Sequence, residues 1–343
     1  MRSGRWLFLT FTLPATVLGF TECDEARSLS LRETARSAFN GRRYEEAARR
    51  LEQALEACPE RSALLLEISQ AHAYRRDLDA AVRAAQQFLE QQPDSVPGRL
   101  AVANAYFLAQ RLPEARQSAE NALKIEPANP TALKIKANAE YLLGRFERAE
   151  EVFLALLDAH PDDEEAAYML GRVYYQEGRL DHAIGLFQRV LRINPFSYKA
   201  HDNLGLCYQA RNEPESAVRH FLAAIQLVEK SQPDYDWPYA NLAELLLETG
   251  DPQKAFAAAS KAADRNPGSA RNFYLGGKAL CQLDKTDLCL NWLQRSAALD
   301  PNYSEPLYLL ARVYRQLGQQ DKAQEALERF RLARESRGRN PRR

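Results

Sequence analysis

Proline recurs along this chain at a fixed interval of 34 residues, interrupted by a single step of 38 residues. The series consists of Pro59, Pro93, Pro127, Pro161, Pro195, Pro233, Pro267 and Pro301. Because proline lacks a backbone N–H and cannot extend a helix, such a series marks the ends of equal structural units. The sequence therefore predicts an array of repeats, which forms one quasi-linear domain instead of the two or three globular domains that 343 residues would otherwise suggest.

The unit from Glu164 to Ser197 shows what each repeat contains. Its apolar residues follow helical spacing in two runs separated by Gly178: Ala167, Leu170, Gly171 and Tyr174, then Ala183, Phe187, Val190 and Leu191. Gly178 can take the left-handed backbone that ends a helix, and Pro195 closes the unit. The pattern predicts two antiparallel helices, which need neighbours on both sides to bury their apolar faces.

The other units supply matching residues at the same positions. The position of Ala183 holds alanine or, once, cysteine: Ala47, Ala81, Ala115, Ala149, Ala217, Ala255, Cys289 and Ala323. Tyr174 is matched by Tyr106, Tyr208 and Tyr314. Small residues let the two helices of a hairpin approach closely, and the aromatic rings fill the gap to the next hairpin.

These residues resemble the tetratricopeptide repeat family, whose pattern L-G-x2-Y, A-x3-F and P appears here as Leu170, Gly171, Tyr174, Ala183, Phe187 and Pro195. The next unit repeats it with Leu204, Gly205, Tyr208, Ala217 and Phe221. The resemblance implies an all-α fold, an α-solenoid with a right-handed superhelix of about nine helix-turn-helix repeats. The expected array fills 23–330, with repeats near 28–61, 62–95, 96–129, 130–163, 164–197, 198–235, 236–269, 270–303 and 304–330.

Residues 1–22 stand outside the repeats and have the features of a secretory signal peptide. Arg2 and Arg5 precede an apolar run from Trp6 to Phe20, and we expect cleavage after Gly19. The run is short and contains Pro14, which disfavours a spanning helix, so an uncleaved anchor is the alternative. A lipoprotein would use Cys23 as its lipidated residue, but the preceding residues are not small. The predicted location is periplasmic or secreted.

If the protein is exported, its five cysteines enter a compartment in which disulfides can form. Cys23 precedes the first helix of repeat 1 and Cys58 ends its second helix, so an antiparallel hairpin brings them together. A disulfide there and two free thiols are both compatible with the sequence. Cys281 and Cys289 share a hairpin and either pair or serve as small interface residues. Cys207 is expected to be buried.

Three further local features can be read from the sequence. Turn signals between helices include Asn40–Gly41, Gly144 and Gly178. Four extra residues within 229–236 are expected to lengthen the link between repeats 6 and 7. The segment 331–343 is arginine-rich and predicts a basic C-terminal tail, either a solvated helix end or a contact for an anionic surface.

The charged residues and motifs argue against several classes of function. The 46 basic and 46 acidic residues cancel, which disfavours a nucleic-acid binder that relies on a broad positive field. There is no H-E-x-x-H, P-loop, G-x-G-x-x-G or G-x-S-x-G motif, and no histidine pair with ligand spacing on one helix face. His201–Asp202 resembles a dipeptide of metal phosphohydrolases but lacks the companion ligands. We therefore predict no enzyme, cofactor, metal site or small-molecule substrate.

The family resemblance implies that a partner binds the concave face, which the first helix of each repeat lines. Carried over by register, the partner-binding positions are Asn104, Phe107, Lys134, Asn138, Tyr141, Tyr168, Arg172, Tyr175 and Lys199, followed by Asp202, Tyr274, Lys278, Tyr308 and Arg312. Tyr141 and Tyr175 could equally seal neighbouring helices. Lys134 and Asn138 match part of a family carboxylate clamp, in which Met169 replaces an expected asparagine. Asn203 and Asn241 match part of an asparagine ladder.

The resulting prediction is an exported repeat scaffold that binds a protein or peptide in its concave groove. The alternative is a structural subunit of an oligomeric envelope assembly or of a secretion or polysaccharide-export machine. In either case membrane contact is expected only through an uncleaved signal anchor or the basic tail.

Overall fold

The computed structural model describes residues 23–232 and 234–339. These residues fold into eighteen helices and contain no strand, which confirms the predicted all-α, solenoid-type array of helix hairpins. The predicted signal peptide lies outside the described residues. No described helix combines the length and the apolar character that crossing a bilayer requires.

The first of two compact units ends at Leu143. Its described helices are α1 (Glu25–Asn40), α2 (Tyr44–Ala57), α3 (Leu64–Tyr74), α4 (Leu78–Gln91), α5 (Val96–Leu108), α6 (Leu112–Leu123) and α7 (Pro130–Leu142). Each helix packs on the next, and α5 also contacts α3 and α7. The first helices α3, α5 and α7 therefore lie side by side.

The second unit begins at Gly144 and repeats this arrangement. Its helices are α8 (Phe146–Ala159), α9 (Glu164–Gln176), α10 (Leu180–Ile193), α11 (Tyr198–Ala210), α12 (Pro214–Ser231), α13 (Trp237–Glu248), α14 (Pro252–Arg265), α15 (Ala270–Gln282), α16 (Thr286–Leu299), α17 (Ser304–Gln316) and α18 (Gln320–Arg339). The helices α9, α11, α13, α15 and α17 form a row in which each contacts the next.

The turn inside each hairpin places one residue in the left-handed backbone region. Glycine holds this position at Gly144, Gly178, Gly250 and Gly318, with φ between 72° and 82°. In the other hairpins the position is held by Arg42, Arg76, Gln110, Asn212 and Asp284, with φ between 58° and 68°. The predicted turn signal Asn40–Gly41 is therefore off by one residue, because Gly41 has φ −79° and Arg42 makes the left-handed turn.

Short polar side chains begin many of the helices. Asp163 accepts a hydrogen bond from the backbone N–H of Ala166, and Asn129 accepts one from Ala132. Such caps satisfy N–H groups that have no partner within the helix. These two caps each follow a repeat-closing proline by two residues, so one short segment ends a repeat and starts the next.

The helices of a hairpin meet through the small residues that the repeat predicts. Every residue at the position of Ala183 is at most 2 % exposed, Cys289 included. Phe187 and Phe221 are completely buried against the preceding first helix. A Cβ atom built on Gly205 would lie 2.4 Å from the Phe221 ring, so only glycine fits there without displacement of the ring.

The four extra residues of repeat 6 extend a helix and not a loop, so the predicted longer link is wrong. Helix α12 has 18 residues where α10 has 14. The short link that follows is anchored at its end, where Tyr235 packs edge-on against Tyr198 with ring centroids 4.9 Å apart. Asp236 is buried and accepts a hydrogen bond of 2.6 Å from Asn272. An apolar and helix-forming segment before Gln232 explains the added turn.

The basic segment after 330 also continues a helix. Helix α18 runs to Arg339, six residues beyond a 14-residue second helix such as α10 that starts at the equivalent position. The expected boundary at 331 is therefore not a helix end. Residues 340–343 lie outside the described residues.

Candidate polar cleft on the first helices

A cleft of about 420 Å³ opens on the row of first helices in the second unit. We call it the polar cleft and define it by Tyr168, Arg172, Asn203, Trp237, Asn241 and Arg271, which come from α9, α11, α13 and α15. Residues three or four apart share one face of a helix, so the side-by-side packing of these first helices brings residues from four repeats together. The volume falls in the range of about 300–1,000 Å³ that is typical of ligand-binding clefts.

Asn203 connects two of these helices. Its Nδ2 donates to the Tyr168 hydroxyl at 3.1 Å and to the backbone carbonyl of Lys199 at 2.9 Å. Both donors of the amide are used, whereas its carbonyl oxygen accepts no hydrogen bond from the described residues. The amide therefore presents an acceptor in a fixed orientation at the cleft.

Asn241 is the centre of a second network. It is 3 % exposed; its Nδ2 donates to Asp202 at 2.9 Å, and its oxygen accepts from Arg271 at 3.0 Å. Arg271 also donates to Glu244 at 2.5 Å, and its guanidinium carbon lies 5.6 Å from the centre of the Trp237 ring. The network fixes the amide orientation and holds Arg271 over an aromatic face.

Asp202 supplies a buried carboxylate beneath this network. Burial raises the pKa of Asp202 to about 6, although the hydrogen bond from Asn241 and the charge of Arg271 act in the opposite direction. The same burial raises the pKa of Tyr175, which lines the cleft nearby. The floor of the cleft at Asp202 is therefore shielded from water, and polar interactions there are stronger than at the open surface.

Five of the predicted partner-binding residues lie in the first unit. Asn104 is exposed, whereas Phe107 packs partly buried against the core formed by Ala103, Ala115, Ala119 and Ile135. Lys134 and Asn138 are half-buried on α7, and the Asn138 carbonyl oxygen is buried without a hydrogen bond from the described residues. Tyr141 is 7 % exposed, which favours the sealing role over partner contact.

The other predicted residues lie in the second unit, where the structure brings most of them together. Tyr168, Arg172 and Tyr175 line the polar cleft, and exposed Lys199 joins it through its backbone carbonyl. Sequence reasoning missed Arg271, although it occupies the same repeat position as Lys199, one of the predicted partner-binding residues. It also missed Tyr235, which lies in the segment that holds the four-residue insertion, and Trp237, which occupies the second position of repeat 236–269 as Arg271 does in its own repeat.

The His201–Asp202 dipeptide does not act as a unit in the structure. His201 pairs with His220, their Nδ1 atoms 3.1 Å apart, while its neighbour Asp202 pairs with Asn241. The two residues therefore have separate partners. Among residues 23–232 and 234–339, no group of three or more His, Cys, Asp or Glu side chains is placed to hold a metal ion.

Four of the cysteines are joined in pairs. Cys23 is linked to Cys58, which ties the start of α1 to the end of α2, and Cys281 is linked to Cys289 within the α15–α16 hairpin. Cys289 also occupies the small-residue position of its repeat, so it is both a disulfide partner and a small interface residue. Cys207 is a buried thiol whose pKa burial raises to about 12, which makes it unreactive.

Comparison with known families accounts for the repeats. Tetratricopeptide repeat models match residues 32–73, 66–132, 136–198, 197–267 and 292–325. No curated protein sequence is significantly similar to this chain.

Solved structures with the same arrangement of helices exist. A chain of the APC/C hetero-tetramer Cut9–Hcn1 is 18 % identical with a TM-score of 0.62; the match covers 82 % of this chain and 55 % of that one. A tetratricopeptide repeat protein from Parabacteroides merdae is 20 % identical with a TM-score of 0.58, covering 78 % of this chain and 98 % of that one. At these identities the likeness describes the fold alone.

Proposed function

This chain belongs to the tetratricopeptide repeat family, a scaffold for protein–protein interaction, and we propose that it is exported and binds an extended protein or peptide segment in the polar cleft. The single observation that supports this site most strongly is the pair of amides, Asn203 and Asn241, held beside Arg271 and aromatic rings in one cleft. An extended segment presents a backbone N–H and a C=O at every residue, and each must find a partner when it leaves water.

The cleft residues match those requirements. The Asn203 oxygen can accept a backbone N–H, and Arg271 can donate to a backbone carbonyl or to a carboxylate. Both side chains are already fixed by hydrogen bonds to neighbouring helices, so binding would order few additional rotamers. Tyr168, Trp237 and Arg271 are of the residue types that contribute most to binding energy when they are buried at an interface.

Export is supported by two independent features of the sequence and structure. The basic and then apolar segment at 1–20 has the form of a signal peptide, and the paired cysteines suit an oxidising compartment. A fusion of residues 1–25 to a reporter that is active only after export tests this directly. Activity that disappears when Arg2 and Arg5 are replaced by glutamate supports export, and activity without the segment contradicts it.

Affinity capture from the native cell tests the cleft. We expect Asn203→Ala/Arg271→Ala to lose the captured partner, because the first change removes the presented acceptor and the second removes the guanidinium. The matched control is Asn291→Ala/Arg192→Ala, which removes the same side chains from exposed positions on the second helices α16 and α10.

Circular dichroism must show equal helicity in both double variants. Partners that survive in the cleft variant at wild-type amounts would rule out the polar cleft as the binding site. Loss of the partner in both variants would show that the loss is not specific to the polar cleft and would remove the support for that site.

A further inference from the structure

A second cavity of about 680 Å³ lies near the C-terminal end of the described chain. We call it the C-terminal groove and define it by Tyr274, Lys278, Tyr308, Arg312, Phe330 and Arg334, from α15, α17 and α18. It shares no lining residue with the polar cleft. Its properties therefore do not depend on the function proposed for that cleft.

Aromatic side chains form an apolar surface inside the groove. The Tyr308 ring is 49 % exposed and packs against Phe330 with centroids 5.5 Å apart. Tyr274 is held edge-on by Tyr303 at 5.4 Å. Rings that are fixed on one side and open on the other can receive an apolar side chain at little entropic cost.

Three cations surround these rings. Lys278 and Arg312 occupy the same position in successive repeats, and Arg334 lies with its guanidinium carbon 5.8 Å from the centre of the Phe330 ring. None of the three forms an ion pair with a carboxylate of the described residues, although many arginines elsewhere do, such as Arg271 with Glu244 and Arg179 with Glu150. The lining holds two carboxylates, Asp284 and Glu305, against these three cations.

We propose that the C-terminal groove binds an acidic protein segment that carries an aromatic or aliphatic side chain. Its carboxylates pair with Lys278, Arg312 and Arg334, and its apolar side chain covers the exposed Tyr308 ring. Charge complementarity of this kind raises the association rate and selects the partner. A peptide segment fits better than an anionic membrane, because the rings lie inside a cavity between helices that a flat bilayer surface does not enter.

Fluorescence anisotropy with the full chain tests the proposal. The probe is a fluorescein-labelled peptide in which Asp and Glu alternate with Leu and Phe, and its control peptide has Asn and Gln in place of the acids. We expect the acidic peptide to bind, the control peptide to bind at least about tenfold more weakly, and added salt to weaken binding.

Charge-reversal variants locate the site. Lys278→Glu/Arg312→Glu should raise the dissociation constant at least about tenfold, and Lys261→Glu/Arg329→Glu, with the same change in net charge at exposed positions, should leave it unchanged. Tyr308→Ala should weaken binding, and Phe196→Ala, at a more exposed ring, should not. Asn203→Ala/Arg271→Ala should retain the peptide, which separates this groove from the polar cleft.

Several results would overturn the proposal. These are an acidic peptide that does not bind the wild-type chain, equal loss of binding in both charge-reversed variants, and unchanged binding in Lys278→Glu/Arg312→Glu. Binding of phosphatidylserine-containing vesicles without binding of the peptide would also overturn it, since the partner would then be a membrane.

Discussion

Individual residues decide how closely the helices of a hairpin approach. Gly205 and Phe221 illustrate this, because a methyl group on the glycine would fall within the space of a completely buried ring. Gly185 offers the opposite case, since it lies exposed in α10 with nothing within 4 Å of an added Cβ atom. The two glycines therefore predict opposite responses to the same substitution.

We expect Gly205→Ala to destabilise the protein by about 1–3 kcal/mol, because the buried ring must move to admit the methyl group. Gly185→Ala should stabilise α10 by about 0.5–1 kcal/mol, because alanine loses less backbone entropy in a helix. Urea unfolding followed by circular dichroism measures both. Equal midpoints for the two variants would contradict the packing described here.

His201 and His220 provide a second residue-scale test. Burial lowers the pKa of both rings, and that of His220, which also lies near His201 and Arg219, falls to about 4. An unfolded histidine titrates near about 6.5. Because the folded protein binds protons on these rings less readily than the unfolded protein does, acid favours unfolding. The free energy of unfolding is therefore unaffected by titration of the pair above pH 6.5 and falls as the pH is lowered from there towards 4.

Thermal unfolding at several pH values measures this contribution. We expect the unfolding temperature of the wild-type chain to fall through that window, and His220→Gln to show a smaller fall. His182→Gln, at an exposed histidine, is the control. A fall of the same size in the His220→Gln variant would show that the pair does not titrate in this way.

At the scale of elements, the first hairpin is closed by a covalent link. Besides the Cys23–Cys58 disulfide, the Asp24 N–H donates to the Ala57 carbonyl at 2.8 Å and the Ser28 hydroxyl donates to Ala54 at 2.7 Å. Disulfides of this kind contribute typically about 2–4 kcal/mol. In a repeat array each unit depends on its neighbours, so the effect should be local.

Hydrogen exchange in Cys23→Ser tests that expectation. We expect the amides of α1 and α2 to exchange faster than in wild type, and those of α9 and α10 to keep their rates. Cys207→Ala, which changes a thiol outside any disulfide, serves as the control. Unchanged exchange in α1, or alkylation of Cys58 in the oxidised wild-type chain, would contradict the link.

The repeat made most of the fold predictable from the sequence. Prolines, alanine positions and the Leu–Gly–Tyr pattern located the helix pairs, because each repeat must satisfy the same packing constraints. The extra turn of α12 was not predicted, since four residues add one turn of helix as readily as they lengthen a loop. The left-handed backbone of Arg42 was not predicted, because the neighbouring glycine is the residue type that favours this conformation. The geometry of the hairpin, and not residue preference, decides which residue adopts it.

The candidate site was predictable only where the register was intact. Repeat position correctly predicted that Tyr168, Arg172 and Tyr175 line the cleft. It did not predict the burial of Tyr141, which holds the same repeat position as Tyr175 but has different neighbours. Tyr235 lies in the irregular segment between repeats 6 and 7, where repeat position carries no information, whereas Trp237 holds the same repeat position as Arg271 and could have been found from it. The hydrogen bonds of Asn241 to Asp202 and Arg271 depend on three helices and appear in no local pattern.

At the scale of the whole molecule, the polar cleft is the surface that we expect a partner to occupy. Site-specific photo-cross-linking in the native cell tests this expectation, because an aromatic photoreactive residue keeps a ring at the substituted position and captures whatever contacts the cleft. A photoreactive phenylalanine at Trp237 points at the cleft, and one at Leu288 on the outer helix α16 is its match, since both side chains are 54 % exposed.

We predict a discrete cross-linked protein from position 237 and none from position 288. Cross-links of equal yield from both positions, or from 288 alone, would contradict the claim and place the partner on the outer helices. Cross-links to a second copy of the chain from either position would favour the structural subunit of an assembly instead.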